Sequence, residues 1–178
     1  MDEQNIQMSY QLISSFMRYP TKAMFTQLKD VKEALTELDI PLVQRHLNTF
    51  VNNIEELSYE TVVEYYTEYF DFSKVTNFYV TYLNFGEQRE RGLELLKIKQ
   101  YYKQAGFSMT DKELPDYLPL MLEFCAQVPL QVSYNLLSYY KKNIEVMYTK
   151  LTEVETNYVN LFDALFATIE SSTLVLTE

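Results

Sequence analysis

Apolar residues recur every three or four positions along nearly the whole chain, and that spacing, rather than strict alternation, predicts helices. The first is expected over residues 4–18, with Ile6, Tyr10, Ile13 and Met17 on one side, and Pro20 bars its continuation. A second, over residues 22–38, carries Phe25, Leu28, Val31 and Leu35, before Asp39, Ile40 and Pro41 break it. A third presents Leu47, Phe50, Val51, Ile54 and Leu57 as one stripe, and Ser58 caps a fourth. Residues 58–72 are crowded with aromatics: Tyr59, Tyr65, Tyr66, Tyr69, Phe70 and Phe72.

After a loop over residues 73–77, residues 78–85 read as a short helix ended by Gly86, and residues 87–105 as a longer one closed by Gly106. Thr110 and Glu113 have the spacing of a capping box. The segment that follows is unusually punctuated, because Pro115 and Pro119 bracket a strongly apolar stretch. Proline is tolerated in the first helical turn, where the backbone N–H has no partner, so Asp116 reads as N-cap, Tyr117 as the first helical residue and Pro119 as the third. Leu118, Met121, Leu122 and Cys125 then share one face, and Asp116 and Tyr117 stand at its mouth. Beyond Pro129 one long helical stretch runs through Val132, Leu136, Tyr140, Ile144, Met147 and Leu151. A last helix holds Tyr158, Phe162, Leu165 and Ile169, and residues 171–178 are expected as a frayed tail. The expected fold is all-α: a single-domain helical bundle over residues 1–170, with no repeat or dividing linker.

Composition narrows the function. A chain of 178 residues buries roughly 70% of its unfolded surface, enough for a core without disulfides or metals. Twenty-five acidic against fifteen basic residues give a net charge of −10, which disfavours nucleic acid and anionic membranes and favours a basic partner. The N-terminus lacks the positive region of a secretory signal, and no stretch approaches the roughly 20 apolar residues of a membrane span, so a soluble, cytoplasmic protein is expected. One cysteine, Cys125, and one histidine, His46, leave a zinc cluster and a Ser/His/Asp triad without supporting parts; no cofactor, metal or catalytic residue is expected. Sixteen tyrosines and no tryptophan supply rings with polar tips, suited to a core whose hydroxyls find partners or to a groove that accepts a peptide. The stretch from Gly86 to Gly92 lacks the Gly-Lys-Ser/Thr ending of a phosphate loop. Its charges fit a solvated face, with Glu87 and Arg91 at i,i+4 and Glu94 and Lys97 at i,i+3.

The run Glu-Leu-Pro-Asp-Tyr-Leu-Pro-Leu-Met-Leu-Glu-Phe, preceded by Tyr65-Tyr-Thr-Glu-Tyr-Phe-Asp-Phe72, Gly86-Glu-Gln-Arg-Glu-Arg-Gly92 and Ala105-Gly106-Phe107, resembles in order and spacing the NarJ branch of the TorD/DmsD-like molybdoenzyme maturation chaperones. The resemblance covers about residues 64–126, and Tyr117 stands where the family commonly has histidine. It implies a TorD-like helical bundle with a turn at Thr156 and Asn157, and a chaperone rather than an enzyme. The implied partner is the N-terminal peptide of the catalytic (alpha) subunit of respiratory nitrate reductase, held for molybdenum cofactor and iron–sulfur insertion before membrane attachment, with cofactor delivery proteins as further partners. It places Pro115, Asp116 and Tyr117 in the peptide-binding region and brings Arg89 and Arg91 of the glycine-flanked motif close to them. Glu123 reads either as a solvated residue or as a partner for an incoming arginine, and Tyr66, Tyr69, Phe70, Phe78 and Tyr82 as aromatic lining of the groove. A chaperone of the same fold for another molybdoenzyme, and a helical adaptor with no maturation role, share the same periodicity.

Overall fold

A computed structural model describes residues 2–73, 76–85, 89–110 and 112–177. Helix α1, Glu3–Met17, starts where the Asp2 carboxylate accepts from the Asn5 N–H at 2.9 Å and ends ahead of Pro20. The second expected helix is two: α2, Lys22–Thr26, and α3, Leu28–Thr36, meet at Gln27. There the Gln27 N–H is shared between the Ala23 and Met24 carbonyls, and the Thr26 hydroxyl donates to Ala23 as well. This local competition tightens the last turn and separates the two helices. Helix α4, Pro41–Glu55, opens on its proline, and α5, Tyr59–Tyr66, is capped by Ser58 as expected, through the Thr61 N–H at 3.1 Å. It continues into a π-helical segment, Thr67–Asp71, in which the Phe72 N–H reaches back to the Thr67 carbonyl at 3.1 Å.

Residues 78–81 are extended and turned rather than helical, and α6 is only Tyr82–Phe85. Helix α7, Arg89–Gln104, closes on Gly106 at φ +88°, with the Phe107 N–H on the Tyr102 carbonyl and the Gly106 N–H on Lys103, a Schellman ending that needs the glycine. The expected stop at Gly86 and the Glu87–Arg91 pair involve residues outside those described. The signature helix, α8, is Leu118–Cys125. The long stretch after Pro129 divides at Tyr140 into α9, Leu130–Tyr139, and α10, Lys141–Glu153. Glu155, at φ +52°, ends the latter in the left-handed region just before the turn at Thr156 and Asn157.

Helix α11, Val159–Thr177, is the spine of the bundle and packs most extensively on α4 and α1, while α1 also lies along α8. Two expectations change here. Residues 171–177 are helical rather than frayed, with Ser171 and Ser172 buried, and the Ser172 hydroxyl meets the Tyr10 hydroxyl at 3.1 Å. The helix is also 19 residues long with a mean hydropathy of 1.3, long and apolar enough to cross a membrane, contrary to the reading that no stretch approaches a span. Here its apolar face, including Leu161, Phe162, Leu165 and Ile169, is buried in the core.

Candidate functional site

Asp116 does not cap a helix. Tyr117 occupies the cap position of α8, without a side-chain capping bond, Leu118 is the first helical residue and Pro119 the second. The reason is a backbone pairing four sequence-distant residues make: Val80 N–H donates to the Asp116 carbonyl at 2.9 Å and Leu118 N–H to the Phe78 carbonyl at 2.7 Å. Residues 79 and 117 thus form an isolated antiparallel bridge. This pairing turns the Asp116 side chain inward, fully buried, and not to the mouth of the helix.

Its carboxylate is held by two residues. Oδ2 accepts from the Thr81 hydroxyl at 2.6 Å and the Thr81 N–H at 3.1 Å, and Arg91 reaches both oxygens at 3.3 and 3.4 Å. The Thr81 hydroxyl, its proton given to Asp116, accepts from Arg91 Nε at 3.2 Å. Arg91 is itself 12% exposed and lies over the rings of Tyr82 and Tyr79, with centroids 5.3 and 5.8 Å away. Every polar atom of the buried charge therefore has a partner, the condition under which an ion pair survives burial. Arg91 belongs to this clamp, so the solvated-face reading fails for it, while Glu94 and Lys97 do form their pair at 2.5 Å. The Thr110–Glu113 capping box does not form: the described residues 112–117 are not helical, and Glu113 accepts from the Tyr79 hydroxyl at 2.8 Å and the Leu114 N–H at 3.0 Å. Pro115 is buried, its carbonyl accepting from the Tyr102 hydroxyl at 2.8 Å.

Beside the clamp the aromatic residues gather. Phe70 and Phe78 stack at 4.0 Å, Tyr158 stands edge-on to Phe70 at 4.7 Å, and Tyr66 packs on Phe70 at 5.1 Å. Tyr66, Phe70 and Phe78 are buried, so they floor the cluster rather than line an open groove. Its outer edge is half-buried Tyr69, Tyr79, Tyr82 and Tyr117. The Tyr117 and Tyr66 hydroxyls meet at 3.2 Å, and Tyr66 also reaches the Met17 carbonyl at 3.4 Å. Burial pushes the pKa of both phenols up, with the nearby Tyr117 adding to the rise at Tyr66, so both stay neutral and hydrogen-bonding at physiological pH.

Two sequence candidates lie outside the clamp. Glu123 is paired at the surface with Arg18, the residue that follows α1. Arg89 is exposed at the start of α7, outside the clamp that holds Arg91. Two participants escaped the sequence reading, Thr81 and Tyr79, as did an exposed acid stripe of Glu60, Glu64, Glu68 and Asp71. The stripe was legible, as no basic residue interrupts residues 59–72. The roles of Thr81 and Tyr79 come from pairing distant in sequence and carry no local signal. Among the described residues, no group of three or more His, Cys, Asp and Glu side chains is placed to hold a metal ion.

Residues 29–138, which include the clamp and most of the aromatic cluster, match the family model described as nitrate reductase delta subunit. The chain belongs to that family. It is 38% identical over 165 residues to a Bacillus subtilis (strain 168) relative named as a nitrate reductase molybdenum cofactor assembly chaperone, NarJ, covering 93% of this chain and 90% of the relative. To the NarJ of Escherichia coli (strain K12), named for the same role, it is 28% identical over 156 residues, 86% of this chain and 66% of that one. A nitrate reductase-like protein of Mycobacterium tuberculosis (strain H37Rv), NarX, shares 30% identity over 89% of this chain but only 24% of its own length. The fold itself recurs in the crystal structure of a redox enzyme maturation protein from Archaeoglobus fulgidus, with a TM-score of 0.60 at 17% identity over 100% of this chain and 95% of that one. The all-α, NarJ-type reading is therefore correct, and the Bacillus subtilis and Escherichia coli relatives carry names of assembly chaperones rather than of catalysts.

Proposed function

We propose that this protein is a cytoplasmic maturation chaperone that binds the N-terminal segment of the catalytic (alpha) subunit of respiratory nitrate reductase. It holds that subunit while the molybdenum cofactor and an iron–sulfur cluster are inserted, before membrane attachment, and meets cofactor delivery proteins in doing so. It works by binding, without turnover. Family membership supports the client class, and one observation carries the site: a half-open tyrosine edge, Tyr69, Tyr79, Tyr82 and Tyr117, resting on buried Phe70 and Phe78 beside an uninterrupted acid stripe. The rings bury the apolar anchors of an amphipathic helix, and Glu64, Glu68 and Asp71 face its basic residues. Asp116, Pro115 and Arg91 hold the edge in place from beneath; Glu123 and Arg89 lie at its margins.

The test is calorimetry with a synthetic peptide from the N-terminus of the alpha subunit. Binding should weaken as salt rises, because a basic segment meets a chain of net charge −10. Tyr117→Ala should weaken it by about tenfold or more, as removal of a central aromatic anchor does. No heat at high micromolar peptide and low salt would exclude this client.

A further inference from the structure

Two surface features, the outer face of α7 and the far end of the acid stripe, each have what the other lacks. The first is on α7, which carries five basic residues, Arg89, Arg91, Lys97, Lys99 and Lys103, against two acidic ones in a chain that is strongly acidic overall. At 100° per residue, Leu93, Leu96 and Gln100 form its outward crest, with Lys97 on one flank and Lys99 and Lys103 on the other. Leu93 and Leu96 are each 57% exposed. Alongside the crest, between α7 and α9, lies an apolar cavity of about 410 Å³ bordered by Lys97, Tyr101, Asn135, Leu136, Tyr139 and Tyr140. It is large enough for an aromatic side chain, and Lys97 stands at its rim.

The second feature is the end of the π-helical segment. Phe72 is 82% exposed, the most exposed large hydrophobic side chain among the described residues. It projects beside exposed Glu68 and Asp71, at the end of a stretch with four acids and no base. An apolar knob beside two carboxylates, and an apolar hole with Lys97 at its rim, itself paired with Glu94, and Lys99 and Lys103 across the crest of α7, are complementary in shape class and in charge.

We propose that the α7/α9 surface is a docking site for a second copy of this chain, which inserts Phe72 into the cavity while Glu64, Glu68 and Asp71 face Lys97, Lys99 and Lys103. Where two copies exchange both pairs the interface is isologous and closes as a dimer; where they do not, the contact is head-to-tail and extends to larger species. One aromatic anchor and a few rim charges make a contact below the standard size, with a dissociation constant on the order of 10–100 µM. The pairing does not rest on the client reading, and its test contains no client peptide.

Sedimentation of the full chain from about 5 µM to about 1 mM should show mass rising with concentration across the range set by that affinity. Phe72→Ser should weaken association by about tenfold or more. Lys97→Glu/Lys103→Glu should do the same, as should Glu64→Lys/Glu68→Lys, with circular dichroism confirming that these exposed changes leave the fold intact. The decisive sample is the mixture. The first charge variant then offers acid on both patches and the second offers base on both, so neither pairs with itself, and the mixture should recover the association of the original chain. A monomer throughout would overturn the proposal, as would association indifferent to Phe72→Ser, or a mixture that recovers nothing.

Discussion

Asp116 shows how far a residue's role depends on where its side chain is turned. A carboxylate capping a helix is exchangeable for asparagine at little cost, but one that is fully buried against Arg91 is not. Asp116→Asn leaves a guanidinium in the protein without its counter-charge and should cost about 3 kcal/mol, near the low end for a broken buried pair because the Arg91 contacts are 3.3–3.4 Å long. Chemical denaturation checks this, and a double-mutant cycle with Arg91→Met should return a coupling above about 1 kcal/mol. Loss near zero would restore Asp116 to a cap-like role. Because Asp116 touches no solvent, its substitution should affect client affinity only through the position of Tyr117 and Tyr79. Arg91→Met in isolation should therefore reproduce most of any loss of affinity seen in Asp116→Asn.

At the scale of elements, α11 carries the clearest prediction. If residues 171–178 were frayed, removing them would change nothing. As part of a helix whose Ser172 hydroxyl partners the buried Tyr10 hydroxyl, residues 171–177 close one end of the α1–α11 contact. Truncation after Glu170 should leave the Tyr10 hydroxyl unpaired and its ring exposed, and should destabilise by about 2–4 kcal/mol, the sum of a lost hydrogen bond and of uncovered apolar surface. A melting temperature lower by several degrees checks it; an unchanged one contradicts the packing. The π-helical segment is the other element whose shape has a consequence. Its wider turn, begun where the Thr67 hydroxyl bonds back to Val63 at 2.8 Å, moves Phe70 inward and leaves Phe72 outward.

For the whole molecule, the abundance of tyrosine sets an alkaline limit. Burial raises the pKa of Tyr10, Tyr66, Tyr102 and Tyr158 above the ordinary value of 10.0. Their stabilising contribution is complete below the unfolded-chain pKa, near 10, and falls as pH rises beyond it, because only the unfolded chain then releases the protons. Each such group costs about 1.4 kcal/mol per pH unit in that window, so four of them consume a typical stability of roughly 10 kcal/mol within about two units. The protein should unfold cooperatively between about pH 10 and 12. Tyrosinate absorbance should appear in the same transition as the loss of helix; ionisation well before unfolding would mean that these hydroxyls are open to solvent.

What the linear chain decided by itself is local. Helical periodicity, the Ser58 cap, the Gly106 ending and the stop before Pro41 all depend on residues within a turn of one another, and each stands in the structure as expected. So does the family likeness, which rides on short ordered motifs. What the tertiary structure alone decided involves partners far apart in sequence. The bridge between residues 79 and 117 moved the start of α8 by one residue and turned a presumed cap into a buried charge. Arg18, 105 residues from Glu123, claimed that glutamate. Ser172, 162 residues from Tyr10, kept the last helix intact. A helical pattern says which face is apolar, but which distant polar group satisfies a buried one is settled only when the backbone has brought both to the same place, since leaving either unpaired costs as much as the bond is worth.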